Sequence, residues 1–321
     1  MSEILKSVRL EGAFYLNAEF TAPWCAQTKF GLSRVVGHLP GAEHVMFFHF
    51  LTEGSCKVRL ADGGEAFDLT AGDLVVFPHD DTHILGSDLQ LTPVEAKTDI
   101  AVDELPTDDF LYYRGGGGGE TTRFVCGYLA CNRSLSRPLL DALPRALHIP
   151  MGEGPGAMLM RELLKKGVRE SAAAQPGGHS ILAKLSELMF VDAMRRYIES
   201  LPPGGQGWLA GVRDAQVGKA LAMLHAEPSK AWTVDELAAK AALSRSTLAE
   251  RFTALVGEPP MQYLMRWRLA LAAQSLRAGS EAIIRVAERC GYESEAAFSR
   301  AFKREFGLPP AAWRKAGQNA T

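Results

Sequence analysis

Cysteine is scarce, with five in 321 residues, and the number is odd. That is too few for a disulfide scaffold and points to a reducing compartment, the cytoplasm. No apolar run reaches the roughly 18 residues that a membrane span needs, so no membrane partner is expected. The opening MSEILKSVRLEG lacks the apolar core and small-residue cleavage site of a secretory signal. Net charge is nearly absent, at −2, yet it is unevenly spread. From Arg213 onward 16 Lys and Arg stand against 11 Asp and Glu, a balance of +5, which leaves −7 on the part before it. A basic third behind an acidic body suggests a polyanion-binding module joined to something else.

What is present changes character along the chain. Residues 8–105 read mostly as strands. Asp62-Gly63-Gly64 is a hairpin signal between CKVRL and EAFDL, AGDLVVFP enters a strand that ends at Pro78, and the short spacing suggests an antiparallel sandwich or small barrel. Five consecutive glycines at 115–119 read as a flexible loop, and TTRFVCGYLAC as a further strand or two. From about residue 136 the periodicity is helical. SILAKLSELMFVDAMRRYIESL is apolar on two sides, with Leu182, Leu185, Met189, Ala193 and Tyr197 on one stripe and Ile181, Leu188, Val191 and Ile198 on another. Either it is buried on both sides within one subunit, or the second stripe is a homodimer face. LPPGGQG at 201–207 cannot continue a helix and marks a boundary.

Beyond it one phrase occurs twice, LAERFTALVGEPP at 248–260 and AAFSRAFKREFGLPP at 296–310. In the first copy Thr233 caps a helix with Glu236 completing a capping box, AALS turns, and Ser244 caps a second helix whose Leu248, Phe252 and Leu255 share a face. Gly257 and Pro259-Pro260 stop it. The second copy repeats the plan with Ala287 in the place of Ala238, a Gly291-Tyr292 turn, Phe298, Phe302 and Phe306 inward, and Gly307 as the stop. Its turn is one residue longer. Between the copies PMQYLMRWRLALAAQSLRAG reads as one helix spanning ~27 Å, near the ~34 Å repeat of DNA. Two helix-turn-helix units on a stiff connector can enter successive major-groove segments of one duplex. The outward residues are Arg245, Ser246, Thr247 and Arg251, then Ser294, Glu295, Ser299, Arg300, Lys303 and Arg304. Arg reads guanine edges, while Ser, Thr and Lys mostly reach phosphates. The alternative is two helical hairpins packed for stability alone.

VAERCGYESEAAFSRAFKREFGLPPAAWR resembles the signature of AraC/XylS-type transcriptional regulators, over about residues 213–316. Two positions depart from it: Ala296 stands where Ser is common, and Glu250 where a basic residue is commoner. The resemblance implies a double helix-turn-helix DNA-binding domain that activates by contacting RNA polymerase. It also invites a cupin-like sensor: Gly72-Asp73, Pro78 and His83 are similar to the second cupin motif, FHFLTEGSCKVRL to the strand after the first, and TAPWCA and LLDALPRALHI to AraC-type proteins of this subclass.

His44, His49, His79 and His83 lie within forty residues, and imidazole suits a divalent transition metal. Without the His-x-His…Glu spacing of enzymatic cupins, His44 and His83 are the candidate ligands, and His49 reads equally as a core residue with one hydrogen bond. Cys25, Cys126 and Cys131 are candidates for a redox switch, or small buried apolar residues; Cys290 reads as core.

The expected fold is multi-domain α+β: a cupin-like antiparallel barrel over 1–135, helices at 136–200 completing the sensor and offering a dimer face, a linker at 201–212, and an all-α double helix-turn-helix at 213–317. The expected function is a cytoplasmic, sequence-specific regulator of transcription, an activator, that binds double-stranded DNA and RNA polymerase and answers to a small molecule, metal or oxidant. The alternatives are a metal-dependent cupin enzyme with a DNA-binding appendage and a thiol-based redox regulator.

Overall fold

Alternating short apolar runs in the first half do form strands, and the helical phrases in the second half do form helices. The structure, a computed structural model, describes residues 10–29, 31–32, 42–95, 111–152, 154–172, 178–202 and 205–318. The strands expected at 96–105 therefore fall outside the described residues. The chain divides into two compact units: Leu10–Cys131 with Leu143–Tyr197, and Asn132–Ala142 with Ile198–Thr321. Among the described residues no helix is long and apolar enough to cross a membrane.

The first unit is built on two sheets. Strands β1 (Leu10–Thr21), β3 (His44–Glu53), β6 (Asp73–Phe77), β9 (Leu111–Gly116), β10 (Thr121–Cys131) and β11 (Leu147–Pro150) form one, in the order β11-β6-β3-β10-β1-β9. Strands β2 (Cys25–Thr28), β4 (Ser55–Leu60), β5 (Phe67–Thr70), β7 (His83–Gly86) and β8 (Val94–Glu95) form the other, in the order β5-β4-β7-β2-β8. Pairing is antiparallel except for β1 with β9 and β2 with β8. The Asp62-Gly63-Gly64 hairpin joins β4 to β5 as its sequence requires. Period-two alternation sends Val45, Phe47 and Leu51 of β3, Val75 and Phe77 of β6, and Phe124, Cys126 and Tyr128 of β10 into one core. The alternate residues Met46, Phe48, Phe50, Leu74, Val76, Val125 and Leu129 are buried on the opposite face. Burial on both faces is why these strands read as continuous apolar runs rather than clean alternation.

The glycine run at 115–119 is not a free loop. Gly115 and Gly116 end β9 in register with Phe20 and Thr21 of β1. Gly117 N–H donates to the Thr21 carbonyl at 2.8 Å, Gly118 N–H to Thr21 Oγ1 at 2.9 Å, and Gly119 N–H to the Ala22 carbonyl at 2.8 Å. Gly116 has φ +117° and its backbone lies so close that an added Cβ would sit 1.9 Å from the Thr21 carbonyl oxygen. The run supplies close backbone approach, not slack.

Helices are α1 (Arg133–Leu140), α2 (Pro155–Ala172), α3 (Gly178–Ser200), α4 (Trp208–Arg213), α5 (Ala215–Ala226), α6 (Val234–Lys240), α7 (Arg245–Val256), α8 (Pro260–Ala278), α9 (Ile283–Arg289), α10 (Glu295–Phe306) and α11 (Pro310–Gln318). Two expected boundaries move. Residues 132–142 pack with the second unit rather than the first, because Leu135 of α1 forms a buried cluster with Trp267 and Ala270 of α8. The stretch 201–212 is a linker only at its start. Its end is α4, where Trp208 is buried and donates from Nε1 to Tyr263 Oη at 3.0 Å. Residues 203 and 204 of the Pro-Gly run lie outside the described residues.

Replacing Gly116 by Ala is expected to cost about 2 kcal/mol or more, combining the left-handed backbone penalty with the clash on Thr21. Gly118→Ala, where φ is +89° but nothing lies within 4 Å of an added Cβ, should cost only about 1 kcal/mol. Chemical denaturation of the two variants checks the difference.

Candidate nucleic-acid interface

The two repeats fold as two helix-turn-helix units, α6–α7 and α9–α10. Thr233 Oγ1 accepts from Glu236 N–H at 3.1 Å, Ser244 Oγ from Thr247 N–H at 3.2 Å, and Ser294 Oγ from Ala297 N–H at 3.2 Å. Each hydroxyl satisfies a donor that a helix start leaves open. The capping box itself is incomplete, since Glu236 pairs with Lys230 Nζ at 2.6 Å instead of reaching back. Gly257 and Gly307 close α7 and α10 in the left-handed conformation, φ +87° and +79°.

In the turn of the second unit Gly291 has φ +80°. The equivalent residue of the first is Ala242, which holds φ +57° with a side chain present. Leu243 N–H to Ala238 C=O and Tyr292 N–H to Ala287 C=O are matching turn bonds, so the added residue of the second copy is Glu293. Leu248 and Phe252 in one unit and Phe298 and Phe302 in the other are fully buried, with Leu255 and Phe306 half-buried beside them.

Those inward residues leave Arg245, Ser246, Thr247, Arg251, Ser294, Glu295, Arg300, Lys303 and Arg304 exposed, and Ser299 half-exposed. The two units then differ. In the first, Arg245 Nη1 lies 3.2 Å from Asp235 Oδ2 and Arg251 Nη2 lies 2.5 Å from Asp214 Oδ2. Asp214 also caps α5, accepting from Gln216 and Val217 N–H. Burial pushes its carboxyl up, but the two N–H donors and Arg251 together hold it below the usual aspartate range. Arg251 is thus committed to the protein, which sequence spacing did not show, although Asp214 before a helix start is a cap signal. The Arg245–Asp235 pair is solvent-exposed and weak, so a phosphate can displace it. In the second unit Arg300 and Lys303 make no ion pair among the described residues. The arrangement offers one lightly encumbered basic helix face, α10, beside one tethered face, α7.

Among the described residues four large exposed apolar side chains stand on α2 and α3 of the first unit. Ile181 is 45% and Leu188 54% exposed on α3, with Met158 at 60% and Leu159 at 61% on α2. Val191 is half-buried, and Ile198 is only 2% exposed, so it cannot be part of a free dimer stripe. The other stripe, Leu182, Leu185, Met189 and Ala193, is buried as expected.

The four histidines and the cysteines are organised differently from a metal site. His44 Nε2 lies 2.6 Å from the Pro78 carbonyl and His79 Nε2 lies 3.3 Å from the Leu143 carbonyl. His83 meets His49, not His44. The Asp81 carbonyl can only accept, so His83 Nδ1–H donates to it at 2.8 Å, leaving His83 Nε2 as acceptor. His49 Nε2–H then donates at 2.7 Å, and His49 Nδ1 accepts the Cys126 thiol hydrogen at 2.9 Å. Among the described residues no three His, Cys, Asp or Glu side chains converge as a metal centre, and the expected donors His44 and His83 are each bonded to a different backbone carbonyl.

All five cysteines are buried and none is joined in a disulfide. Burial pushes the Cys25 thiol up in spite of Arg59, and pushes Cys126 well above the ordinary range, the reverse of what a reactive thiolate needs. Cys126 and Cys131, an odd number of positions apart on β10, face opposite sides and lie ~16 Å apart along the strand. Neither can resolve the other without unfolding. Cys290 is core, as expected.

Comparison with known proteins agrees with both halves. A cupin family model matches residues 1–199 and a helix-turn-helix domain model matches residues 237–316. A Streptomyces antibioticus protein named as an AraC-like transcription regulator is 35% identical over 85% of this chain and 88% of its own. The HTH-type transcriptional regulator AlkR of Acinetobacter baylyi is 29% identical over 98% of both chains. The RCS-specific HTH-type transcriptional activator RclR of Escherichia coli is 29% identical over 87% of both.

The buried imidazoles predict a pH dependence of stability. Burial, and for His49 also the neighbouring His83, holds His49 well below the ordinary histidine range. Burial lowers His83 to about 3, and lowers His225, packed against Tyr263 and Trp267, to about 3. A depressed folded-state value means that the unfolded chain binds the extra proton, so stability is complete above about pH 6.5 and falls as pH drops toward 3. Each histidine contributes a slope of about 1.4 kcal/mol per pH unit inside that window. His225→Gln should flatten the slope by about that amount as pH falls from 6 to 5 in urea titrations, and an unchanged slope would show that His225 titrates in the fold as it does in the unfolded chain.

Proposed function

Since the chain belongs to the AraC-like transcription regulators that join a cupin domain to a helix-turn-helix domain, we propose that it is a sequence-specific activator controlled by a small molecule sensed in its cupin half. The observation that carries DNA reading is the exposed face of α10, where Arg300, Lys303 and Arg304 stand outward while Phe298 and Phe302 anchor the helix from behind. α7 shares the duplex mainly through Arg245, Ser246 and Thr247, with Arg251 held by Asp214. RNA polymerase as the partner rests on the family resemblance, and cytoplasmic action on where promoter DNA is found.

Metal and oxidant effectors draw less support. The imidazole nitrogens are engaged with carbonyls and one another, and the Cys25 and Cys126 thiols are buried and raised. The same engagement argues against a metal-dependent cupin enzyme. A homodimer through Ile181, Leu188, Met158 and Leu159 is supported by their joint exposure on α2 and α3.

Arg300→Ala should weaken binding to a selected operator by about 1–3 kcal/mol and relax preference at one base pair, while Arg251→Ala costs stability rather than specificity. Affinity should also fall steeply between low and physiological salt as phosphate contacts release counterions. Equal operator affinity for Arg300→Ala and wild type in fluorescence anisotropy would remove α10 from base reading. Leu188→Glu should shift the sedimentation profile from dimer to monomer without altering the thermal melt.

A further inference from the structure

Eleven residues make an excursion from one unit to the other. β10 ends at Cys131 and β11 begins at Leu147, both in the sensor unit, but Asn132–Ala142 between them belong to the DNA-binding unit. α1 is well made there. Asn132 caps it, its side chain accepting from Leu135 N–H at 3.1 Å, and Leu135, Ser136, Leu139 and Leu140 are buried. Leu135 clusters with Trp267 and Ala270 of the connector helix α8.

From the other side of α1, Arg137 Nη1 reaches Glu305 Oε1 of α10 at 3.5 Å. Helical spacing places Glu305 beside the buried Ala301, away from the Arg300, Lys303 and Arg304 face. Arg137 therefore holds the recognition helix from behind. A second pair stands close by. Glu258, buried in the turn after α7, is ion-paired with Arg266 of α8. Burial raises its carboxyl, Arg266 opposes the rise, and the charges of Glu305 and Arg137 both act on it. Elements of both helix-turn-helix units, the connector and α1 thus meet in one group of charges, in which Arg137 also pairs with Asp141 of its own helix end at 3.3 Å.

The flanks of the excursion are pinned in the sensor unit. The Leu143 carbonyl is hydrogen-bonded to His79, and Arg145 pairs with Asp62 at 2.8 Å and Asp81 at 2.6 Å. Asp81 is also the residue whose carbonyl ends the Cys126–His49–His83 relay in the barrel core.

We infer that α1 is the transmission helix of this protein, and that Arg137 is a positioning residue that sets the second recognition helix through Glu305. This rests on the DNA-binding function proposed above and adds to it the route of regulation. A change at the ends of β10 and β11 is passed by covalent continuity to α1. Because α1 is seated on α8 and tied to α10, it shifts α10 relative to α7 and alters the fit to the second half-site.

The test uses the full-length chain and duplexes that the wild type selects from a random-sequence library. Hydroxyl-radical footprints are read over both half-sites, with Arg300→Ala marking the half read by α10. Arg137→Glu, which sets a carboxylate against Glu305 and Glu258, should lose protection over that half only, with affinity down roughly 3- to 30-fold. The exchange Arg137→Glu with Glu305→Arg should restore the second-half footprint, which general damage to the fold would not allow. Leu135→Ala, which loosens α1 on α8, should shift the footprint in the same direction. If Arg137→Glu protects both halves as the wild type does, or if the exchange fails to restore protection, the transmission role is overturned while DNA reading stands. If the wild type selects no sequence, the DNA-binding function fails and this inference falls with it.

Discussion

The DNA-binding unit depends on one shared helix. α8 gives its first half, Tyr263 and Leu264, to burial beside Phe252, and its second half, Leu269, Ala272, Ala273 and Leu276, to the core of Val286, Ala287, Phe298 and Phe302. Neither helix-turn-helix has enough apolar surface to close a core alone, since each offers a short helix and one three-turn helix. Sharing α8 solves both shortages and fixes the separation of the recognition helices at the same time. Nineteen residues at ~1.5 Å each give a rod of ~28 Å, which sets the spacing of the two units and leaves the tilt of each recognition helix to its own side contacts. Buried polar bonds tie other elements to it. Tyr263 Oη receives Trp208 Nε1–H and faces His225 Nε2 at 2.7 Å, and Arg268 donates to the Pro228 and Lys230 carbonyls. Trp313 of α11 donates to the Ala273 carbonyl and lies under Arg277, 4.3 Å from the ring.

The barrel core shows a different constraint, in which polarity is admitted only as a closed relay. Buried imidazoles without partners would cost several kcal/mol, and neutral imidazole has one donor and one acceptor to place. The run from Cys126 through His49 and His83 to the Asp81 carbonyl places every one of them. Phe77 stacks on His83 with centroids 3.5 Å apart, and Phe47 and Phe124 stand edge-on to His49. The same aromatic packing that lowers the imidazole pKa values keeps the thiol protonated, so the relay is uncharged from end to end.

Local patterns carried the most information wherever backbone chemistry decided the outcome. Ser244, Ser294, Gly257 and Gly307 are caps whose identity follows from orphan N–H and C=O groups, and the phenylalanines of α10 follow from helical period; all were legible. The illegible features depend on partners far along the chain. Arg251 looks outward by spacing, but Asp214, 37 positions earlier, holds it. His83 pairs with His49 because β7 and β3 bring them together, a register that composition cannot supply. The glycine run reads as slack unless the close approach of Thr21 is known. The excursion at 132–142 escapes a sequence reading because its residues are as helical in pattern as those of α2 and α3, and only the burial of Leu135 on Trp267 says which unit it serves. Ile198 was misplaced for the same reason, continuing a stripe of α3 whose burial changes near the unit boundary.

The repeat is therefore a duplication of scaffold more than of recognition. Its two copies share caps, turns and stops, yet they differ where charge is exposed. The first commits Arg251 to the capping residue Asp214 and sets Glu250 in solvent; the second leaves Arg300 and Lys303 without an ion pair among the described residues, and its Glu305 faces Arg137 on the buried flank. A helix whose cations are already paired must lose those pairs before it can gain phosphates, so it gains less from binding than a helix whose cations are only hydrated. On the function proposed above, α10 would then supply most of the electrostatic affinity, and α7 contacts that depend on α10 being seated. Control of the kind inferred for Arg137, exerted on α10 from its buried side, would then act on the less encumbered of the two faces.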